Sequence, residues 1–263
     1  MGQLVSSILP SSVVNFFSKI FSALTTFFVG AWKGLLLFYR HGFTTLRFFI
    51  LVIDGNVEEL SELIDSLSDD ELERLLHMKC PSMDDDYQIT ALIIAVMYGH
   101  AEVVVLLLEK GANPQEAIRQ RIGRTRRNVF PLLYAVVFRH LEVCRILINY
   151  GANVDLGIED ETPLMCACYI NNDTLDIVIL LVESRADIER VDAEGTTALM
   201  FASEAGRVDV VRYLLSKNAR IHRRDRRGRT ALDLATDAAI VDLLNSAVEE
   251  QMTPPRNFGH HDF

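Results

Sequence analysis

The sequence predicts an all-α solenoid in which pairs of short helices stack one after another along the chain. Three observations support this fold class. A hexapeptide recurs five times, an apolar pattern follows each of its first four copies, and the copies start 40, 32, 35 and 33 residues apart. Such a period is typical of repeat proteins, whose units bury their apolar faces only against neighbouring units.

The hexapeptide predicts the start of the first helix of each pair. Its copies begin at Thr90, Phe130, Thr162, Thr197 and Thr230. Threonine is a favoured N-cap, Pro or Ala follows at the first helical position, and Leu and Ala then share one face. Phe130 has no side-chain oxygen, so its helix is expected to lack this cap.

The apolar pattern predicts the second helix of each pair. It runs from Gly99 to Leu108, from Arg139 to Ile148 and from Gly206 to Leu215, with apolar residues at helical spacing. The copy from Asn172 to Leu181 has two residues inserted. Each of these helices is followed by a small turn with Ala at its centre: Gly111–Asn113, Gly151–Asn153, Arg185–Asp187 and Asn218–Arg220.

Two short helices, a hairpin and a period near 33 residues resemble the ankyrin repeat, whose signature is Thr-Pro-Leu-His-x-Ala. The resemblance covers roughly residues 46–246 and implies four full repeats at about 84–220 between two atypical ends. No copy keeps the signature His. The stretch Gln115 to Asn128 contains an insertion of about seven residues.

The end repeats are expected to be incomplete. Leu46–Ile53 and Asp54–Ile64 resemble the two halves of a degenerate first repeat, and Ala238–Leu244 predicts a short last helix. The predicted domains are therefore an N-terminal segment at 1–43, a repeat domain at 44–248 and a polar tail at 249–263.

The resemblance implies a protein partner, because ankyrin stacks bind proteins on a concave face built from hairpin fingers and first helices. The fingers would be residues 83–88, 117–129, 157–161, 192–196 and 223–229. Two are rich in arginine, which favours bidentate contact with carboxylate or phosphate. The candidate partner-binding residues are Arg119, Arg121, Arg124, Arg126, Arg127, Arg223, Arg224, Arg226 and Arg227. Their targets would be an acidic protein segment or anionic lipid headgroups; alternatively, the charges only keep the finger tips soluble.

Residue patterns give no support for catalysis, so we expect no catalytic residues, cofactor, metal site or small-molecule substrate. His100 and His140 hold equivalent repeat positions and are interpreted as structural. A net charge of -10 argues against a nucleic-acid partner. Cys144, Cys166 and Cys168 fall in apolar helical patterns, which favours free buried thiols and a reducing, intracellular compartment.

The N-terminal segment predicts membrane attachment. Met1 to Ser6 fits the N-myristoylation pattern, with Gly2 as the acceptor. An amphipathic helix follows, with a Ser/Thr-rich face opposite a bulky apolar one that resembles lipid-packing-sensor helices. The candidate membrane-binding residues are Phe16, Phe17, Ile20, Phe21, Leu24, Phe27, Phe28 and Trp32. A single acyl chain anchors weakly, so this helix would supply the second signal.

Alternatives for this segment stay open. Phe16 to Tyr39 is long enough for a single transmembrane span, although its polar stripe would face lipid. A secretory signal and a transit peptide fit less well, because free cysteines belong inside cells and the first arginine is Arg40. The apolar face could instead pack on the chain's own repeats as a cap.

These expectations combine into a non-enzymatic adaptor that is held at the cytoplasmic face of a membrane and recruits a protein partner there. Two other functions remain open at this point. One is a curvature-sensing or membrane-remodelling protein, and the other is a substrate receptor of a ubiquitin ligase.

Overall fold

In the computed structural model, the described residues are 42–81, 88–122, 125–158, 160–170 and 174–252. The predicted lipidation site Gly2 and the predicted membrane-binding residues of the amphipathic helix lie outside them. So do the tip of the first finger, Arg124 of the second finger and the end of the polar tail.

The described part of the chain folds into six helix pairs and one additional helix, which confirms the predicted all-α ankyrin-type solenoid. Its helices are α1 (Phe43–Asp54), α2 (Val57–Asp65), α3 (Asp69–His77), α4 (Ala91–Tyr98), α5 (Ala101–Glu109), α6 (Pro131–Val137), α7 (Leu141–Asn149), α8 (Pro163–Tyr169), α9 (Leu175–Glu183), α10 (Ala198–Glu204), α11 (Val208–Ser216), α12 (Ala231–Leu234) and α13 (Ala238–Met252).

Two of the predicted fingers form short antiparallel sheets. Strands β1 (Cys80–Pro81) and β2 (Gln88–Ile89) pair at the base of the first finger. Strands β3 (Ile118–Ile122) and β4 (Thr125–Val129) form a five-residue ladder over the predicted insertion. Ile118 pairs with Val129 and both are buried, so the base of this hairpin belongs to the core.

The predicted threonine caps begin the first helices. Thr90, Thr162, Thr197 and Thr230 each accept a hydrogen bond from the backbone N–H three residues later, at 3.2–3.5 Å. Phe130 precedes α6 and, within the described chain, makes no side-chain cap bond, as predicted. Pro131 at the first helical position partly compensates, because its missing N–H needs no partner there.

Histidines at the start of the second helices join each repeat to the one before it. The Nε2 atom of His100 lies 2.8 Å from the Ile53 carbonyl oxygen, and that of His140 lies 3.2 Å from the Met97 oxygen. Both bonds reach back to the preceding first helix. The structural interpretation of these two histidines is therefore confirmed. Each imidazole bonds to a carbonyl oxygen of the preceding repeat.

Arg207 occupies the corresponding position in a later repeat and makes a similar contact with the repeat before it. It is buried, and its Nη1 group donates to the Ile170 carbonyl and to Thr174 Oγ1. Thr174 Oγ1 in turn donates to the Ala167 carbonyl at 2.7 Å. The guanidinium group thus bonds to residues on both sides of the segment between α8 and α9, where the two-residue insertion falls.

Three helices depart from the prediction. Helix α1 begins at Phe43 rather than Leu46, and α13 continues to Met252 rather than ending at Leu244. The apolar spacing explains the extension, since Ala247 and Val248 still pack against the core. Helix α3 was not predicted, because the acidic residues of its first turn obscured the pattern; Leu75 and Leu76 bury its inner face.

None of the helices within the described ranges combines the length and apolarity that crossing a bilayer requires. The stretch from Phe16 to Tyr39, for which the sequence leaves a single span open, lies outside those ranges.

We predict that Gly99→Ala destabilises the stack more than Gly111→Ala does. Both glycines have positive φ, at 75° and 102°, so an alanine costs about 1 kcal/mol at either site. At Gly99 the new Cβ would also meet the His140 ring at 2.6 Å, whereas nothing lies within 4 Å at Gly111. Overpacking should add roughly 1–3 kcal/mol at Gly99, measured as the free energy of urea unfolding.

The double variant Gly99→Ala/His140→Ala provides the control. Removing the imidazole should abolish the extra cost, so that the effect of Gly99→Ala in this background matches that of Gly111→Ala. Equal costs for the two single variants would contradict the proposed packing of the histidine on the glycine.

Candidate protein-binding fingers

The finger of the last repeat, residues 223–229, is organised by one buried carboxylate. Asp225 is 6% exposed, and its Oδ1 atom accepts hydrogen bonds from the backbone N–H groups of Arg227 and Arg229 at 2.9 and 2.8 Å. Its Oδ2 atom accepts from Arg229 Nε at 2.7 Å. The turn is closed by the Gly228 N–H, which donates to the Asp225 carbonyl. The carboxylate thus holds the conformation of this C-terminal finger.

The ionised form of Asp225 is favoured. Burial by itself raises the pKa of this carboxyl, but the hydrogen bonds from Arg229 and Arg227 and the charge of Arg229 outweigh it, so the pKa is lowered. Because an ionised carboxylate is the stronger acceptor, the bonds that hold the finger persist at neutral pH.

The finger before it has the same construction and contacts it directly. Asp192 Oδ1 accepts from the N–H groups of Glu194 and Thr196 at 2.9 and 2.7 Å. The Arg226 N–H then donates to the Glu194 carbonyl at 2.8 Å. Consecutive fingers are therefore joined backbone to backbone and present their tips as one surface.

The four predicted arginines of the C-terminal finger divide into two pairs. Arg223 and Arg224 bind within the molecule: Arg223 Nε lies 3.7 Å from Glu189 Oε2, and Arg224 Nη1 donates to the Gly228 carbonyl at 2.6 Å. Arg226 and Arg227 are exposed, and no described residue pairs with either guanidinium group. The guanidinium groups of the second pair are therefore the ones left without a partner among the described residues.

The hairpin finger, β3 and β4 with their turn, collects the other predicted arginines. Arg119 is exposed and Arg127 is half-buried. In the strand register Arg121 lies opposite Arg126, while Arg124 falls outside the described residues. This finger therefore concentrates basic residues on a two-stranded ladder, whereas the C-terminal finger presents its arginines from a braced turn.

The first helices contribute aromatic residues that the sequence interpretation did not identify as binding candidates. Tyr98, Phe138, Tyr169 and Phe201 are all half-buried on or directly after a first helix. The rings of Tyr169 and Phe201 meet edge to face, with centroids 5.8 Å apart, and so connect α8 to α10. Aromatic residues are enriched at protein interfaces, and their recurrence near the end of the hexapeptide helix was the available signal.

Burial disfavours the reactive thiolate form of Cys144, Cys166 and Cys168. Cys144 and Cys168 are buried, and burial raises the pKa of the Cys144 thiol to about 12. Burial also raises the pKa values of Cys166 and Cys168. Thiols of this kind stay protonated and unreactive. Among the described residues, no group of three His, Cys, Asp or Glu side chains is close enough to hold a metal ion.

Comparison with known families supports the fold-based interpretation. A family model for ankyrin repeats in three copies matches residues 117–192 and 164–251, and a model for a single ankyrin repeat matches residues 87–118. These matches cover the described chain from just before α4 to the end of α13. No curated protein matches the chain.

We predict that Asp225→Asn loosens the C-terminal finger. The amide keeps an oxygen for the two backbone bonds but loses the charge, so the Arg227 and Arg229 amides should exchange with solvent faster in hydrogen-exchange measurements. Exposed Asp176 on α9 provides the matched control, because Asp176→Asn removes the same charge without touching a finger.

The stability difference between wild type and Asp225→Asn should depend on pH. Since the folded-state pKa of Asp225 is lowered, its contribution is fully present above the ordinary value of about 3.9 and is lost as pH falls through the lowered value. The unfolding free energies of the two proteins should therefore converge on acidification. A gap that stays constant between neutral and strongly acidic pH would contradict a stabilising ionised Asp225.

Proposed function

The chain belongs to the ankyrin-repeat family, and we propose that it is an adaptor that binds a protein partner through its fingers while its N-terminus holds it at a cytoplasmic membrane surface. Ankyrin repeats are protein-interaction modules and are generally non-enzymatic. Beyond this general role, we propose a specific partner surface and a membrane attachment.

The proposed partner surface rests on one observation, the hydrogen-bonded conformation of the C-terminal finger. Asp225 fixes the turn from inside, and the neighbouring finger holds Arg226 by its backbone. The exposed guanidinium groups of Arg226 and Arg227 are thus presented from a rigid base, which lowers the entropy lost on binding. A rigid pair of arginines is suited to bidentate contact with carboxylates, so an acidic segment of a protein is the ligand that we propose.

The half-buried aromatic residues of the first helices extend this surface. Phe201 and Tyr169 belong to the two repeats that precede the C-terminal finger, where a segment bound at Arg226 would continue. An apolar residue in the partner, placed beside its acidic residues, would pack against these rings. Anchors of this aromatic kind supply much of the affinity of protein interfaces, while the arginines supply orientation and rate.

The membrane attachment rests on the sequence of residues 1–41. Gly2 in a myristoylation pattern and an apolar face of seven aliphatic and aromatic residues with Trp32 would give the two signals that stable attachment requires. Together with the repeats, this arrangement would bring the acidic partner to the lipid surface.

We expect the double variant Arg226→Ala/Arg227→Ala to weaken partner binding by about tenfold or more, since a charge-assisted hydrogen bond contributes roughly 1.5–3 kcal/mol. The full chain, immobilised, would first capture proteins from a cell extract, and the affinity of an identified partner would then be measured at low and high salt. The loss of affinity in the double variant, relative to wild type, should be smaller at high salt, because salt screens exposed charges.

The matched control is Arg145→Ala/Arg212→Ala, which removes the same charge from exposed positions on the second helices α7 and α11. Partner binding should survive in this variant. Equal losses in both double variants would show that net charge alone matters and would contradict a specific finger site.

Membrane attachment is tested by fractionating cells that express wild type, Gly2→Ala, or the triple variant Phe17→Ser/Phe21→Ser/Phe28→Ser. Both variants should move to the soluble fraction, whereas Tyr150→Ser, at an exposed apolar residue of the repeats, should not. If neither variant moves, the lipid-plus-helix attachment is wrong. Protein that resists an alkaline carbonate wash would indicate a membrane span, and binding that depends steeply on vesicle diameter would favour curvature sensing.

A further inference from the structure

The N-terminal end of the stack carries an uncovered apolar stripe. Phe43 and Ile50 on α1 are 67% and 45% exposed. Leu46 is half-buried between them on the same side, because residues three and seven apart share a helix face. Arg47 lies beside the stripe and pairs with Glu59 of α2 at 3.5 Å.

The corresponding residues of later repeats are more buried. Ile50 lies five residues before Gly55, and the residues at the same place in the next two repeats are Ile94 and Tyr134. Those two side chains are only 4% and 1% exposed, and Phe201, at the same place in a later repeat, is half-buried. In the described part of the chain no repeat precedes α1, and Ile50 is 45% exposed. The first helix of the stack therefore presents an apolar surface on which another helix could pack.

The second helix at the same end is built differently. Glu59, with a side chain 53% exposed, holds the position that is Val103, Val143 and Val210 in later repeats, where it is buried. A polar outer face is what a terminal repeat requires for solubility. At this end of the stack, α2 therefore exposes a charged residue, whereas α1 exposes apolar residues.

Acidic side chains outnumber basic ones on α1 and α2, where the one basic residue, Arg47, is paired with Glu59. Asp54, Glu58 and Glu62 are all exposed on α1 and α2. An anionic membrane surface would be repelled here, so the best occupant is an apolar segment that also carries positive charge. Residues 1–41 meet this description, because they contain Lys19, Lys33 and Arg40 and no acidic residue.

Chain connectivity allows that segment to reach this surface. Gly42 leads directly into α1, so residues 1–41 are joined to the chain at the uncovered end. Ile50 lies about 10 Å along α1 from Phe43 at 1.5 Å per residue, and the residues between 35 and 42 can span about 20 Å when extended. An amphipathic helix at 16–35 can therefore turn back and lie along the stripe.

We propose that residues 16–35 pack on α1 as the missing cap of the stack, with their phenylalanine-rich face against Phe43, Leu46 and Ile50. The same face is the one proposed to enter the membrane, so capping and membrane insertion exclude each other. The segment is then a switch that hides its apolar residues in solution and releases them at a lipid surface. This second half of the inference rests on the membrane attachment proposed above, whereas the cap itself does not.

Trp32, the single tryptophan of the chain, reports on the segment directly. In the full chain without lipid, its emission should be at short wavelength and weakly quenched by iodide, at every protein concentration of a dilution series. Ile50→Asp should shift the emission to longer wavelength and raise the quenching constant, because a carboxylate in the stripe expels the apolar face. The matched control Tyr150→Asp, at an exposed apolar residue elsewhere on the repeats, should leave both unchanged.

A second variant guards against a folding defect. Glu59→Lys replaces an exposed side chain and turns its ion pair with Arg47 into two positive charges beside the stripe. These charges repel Lys19 and Lys33, so quenching should also increase. Circular dichroism establishes that the repeats stay folded in every variant. If Trp32 is equally exposed in wild type, Ile50→Asp and Glu59→Lys, the cap does not form and the inference is overturned.

Vesicle binding separates this inference from the membrane attachment. With vesicles of neutral phosphatidylcholine, Ile50→Asp should bind more tightly than wild type, since its apolar face is already released. If Trp32 responds to Ile50→Asp but no variant binds vesicles, the cap stands and the membrane attachment fails. If wild type and Ile50→Asp bind vesicles equally and Trp32 is exposed in both, the attachment stands and the cap fails.

Discussion

The structure depends on contacts that join the starts of three second helices to the repeat before each of them. A side chain there reaches back to a carbonyl in, or directly after, the preceding first helix: His100 to Ile53, His140 to Met97, and Arg207 to Ile170. The two imidazoles lie against Gly55 and Gly99, where a Cβ would come within 2.6 Å of the ring. These bonds set the spacing of repeats that could not bury their apolar faces alone.

Fixed spacing of the helices also fixes the fingers. Each finger after the first follows a second helix and ends at the N-cap of the next first helix, so its two ends are set by the stack. Within that frame, buried Asp225 and the corresponding Asp192 bind backbone N–H groups and shape the turns. The exposure of Arg226 and Arg227 follows from this arrangement, because the backbone and Asp225 use the interior of the turn. A surface held by hydrogen bonds thus results from loops that contain little regular structure of their own.

The same dependence on neighbours explains the two ends of the stack. At the C-terminal end, α13 runs to Met252, and its added apolar residues close the last repeat. At the N-terminal end, the outer face of α2 is polar, but α1 exposes an apolar stripe. Only one of the two helices therefore has the polar outer face that a terminal repeat needs. As the proposed cap, the apolar, basic segment directly before that helix would connect the stability of the repeats with the proposed attachment to a membrane.

By itself, the sequence determined the repeat architecture, because threonine caps, apolar periodicity and turn residues are local signals that recur in register. It also located the basic fingers and the missing cap at Phe130. It did not indicate α3, whose acidic first turn conceals its apolar face, nor the division of the arginines into bound Arg223 and Arg224 and exposed Arg226 and Arg227. Only the tertiary structure decided these points. Burial and partners depend on which residues of distant repeats are brought together, and a one-dimensional pattern of apolar and charged residues does not contain that information.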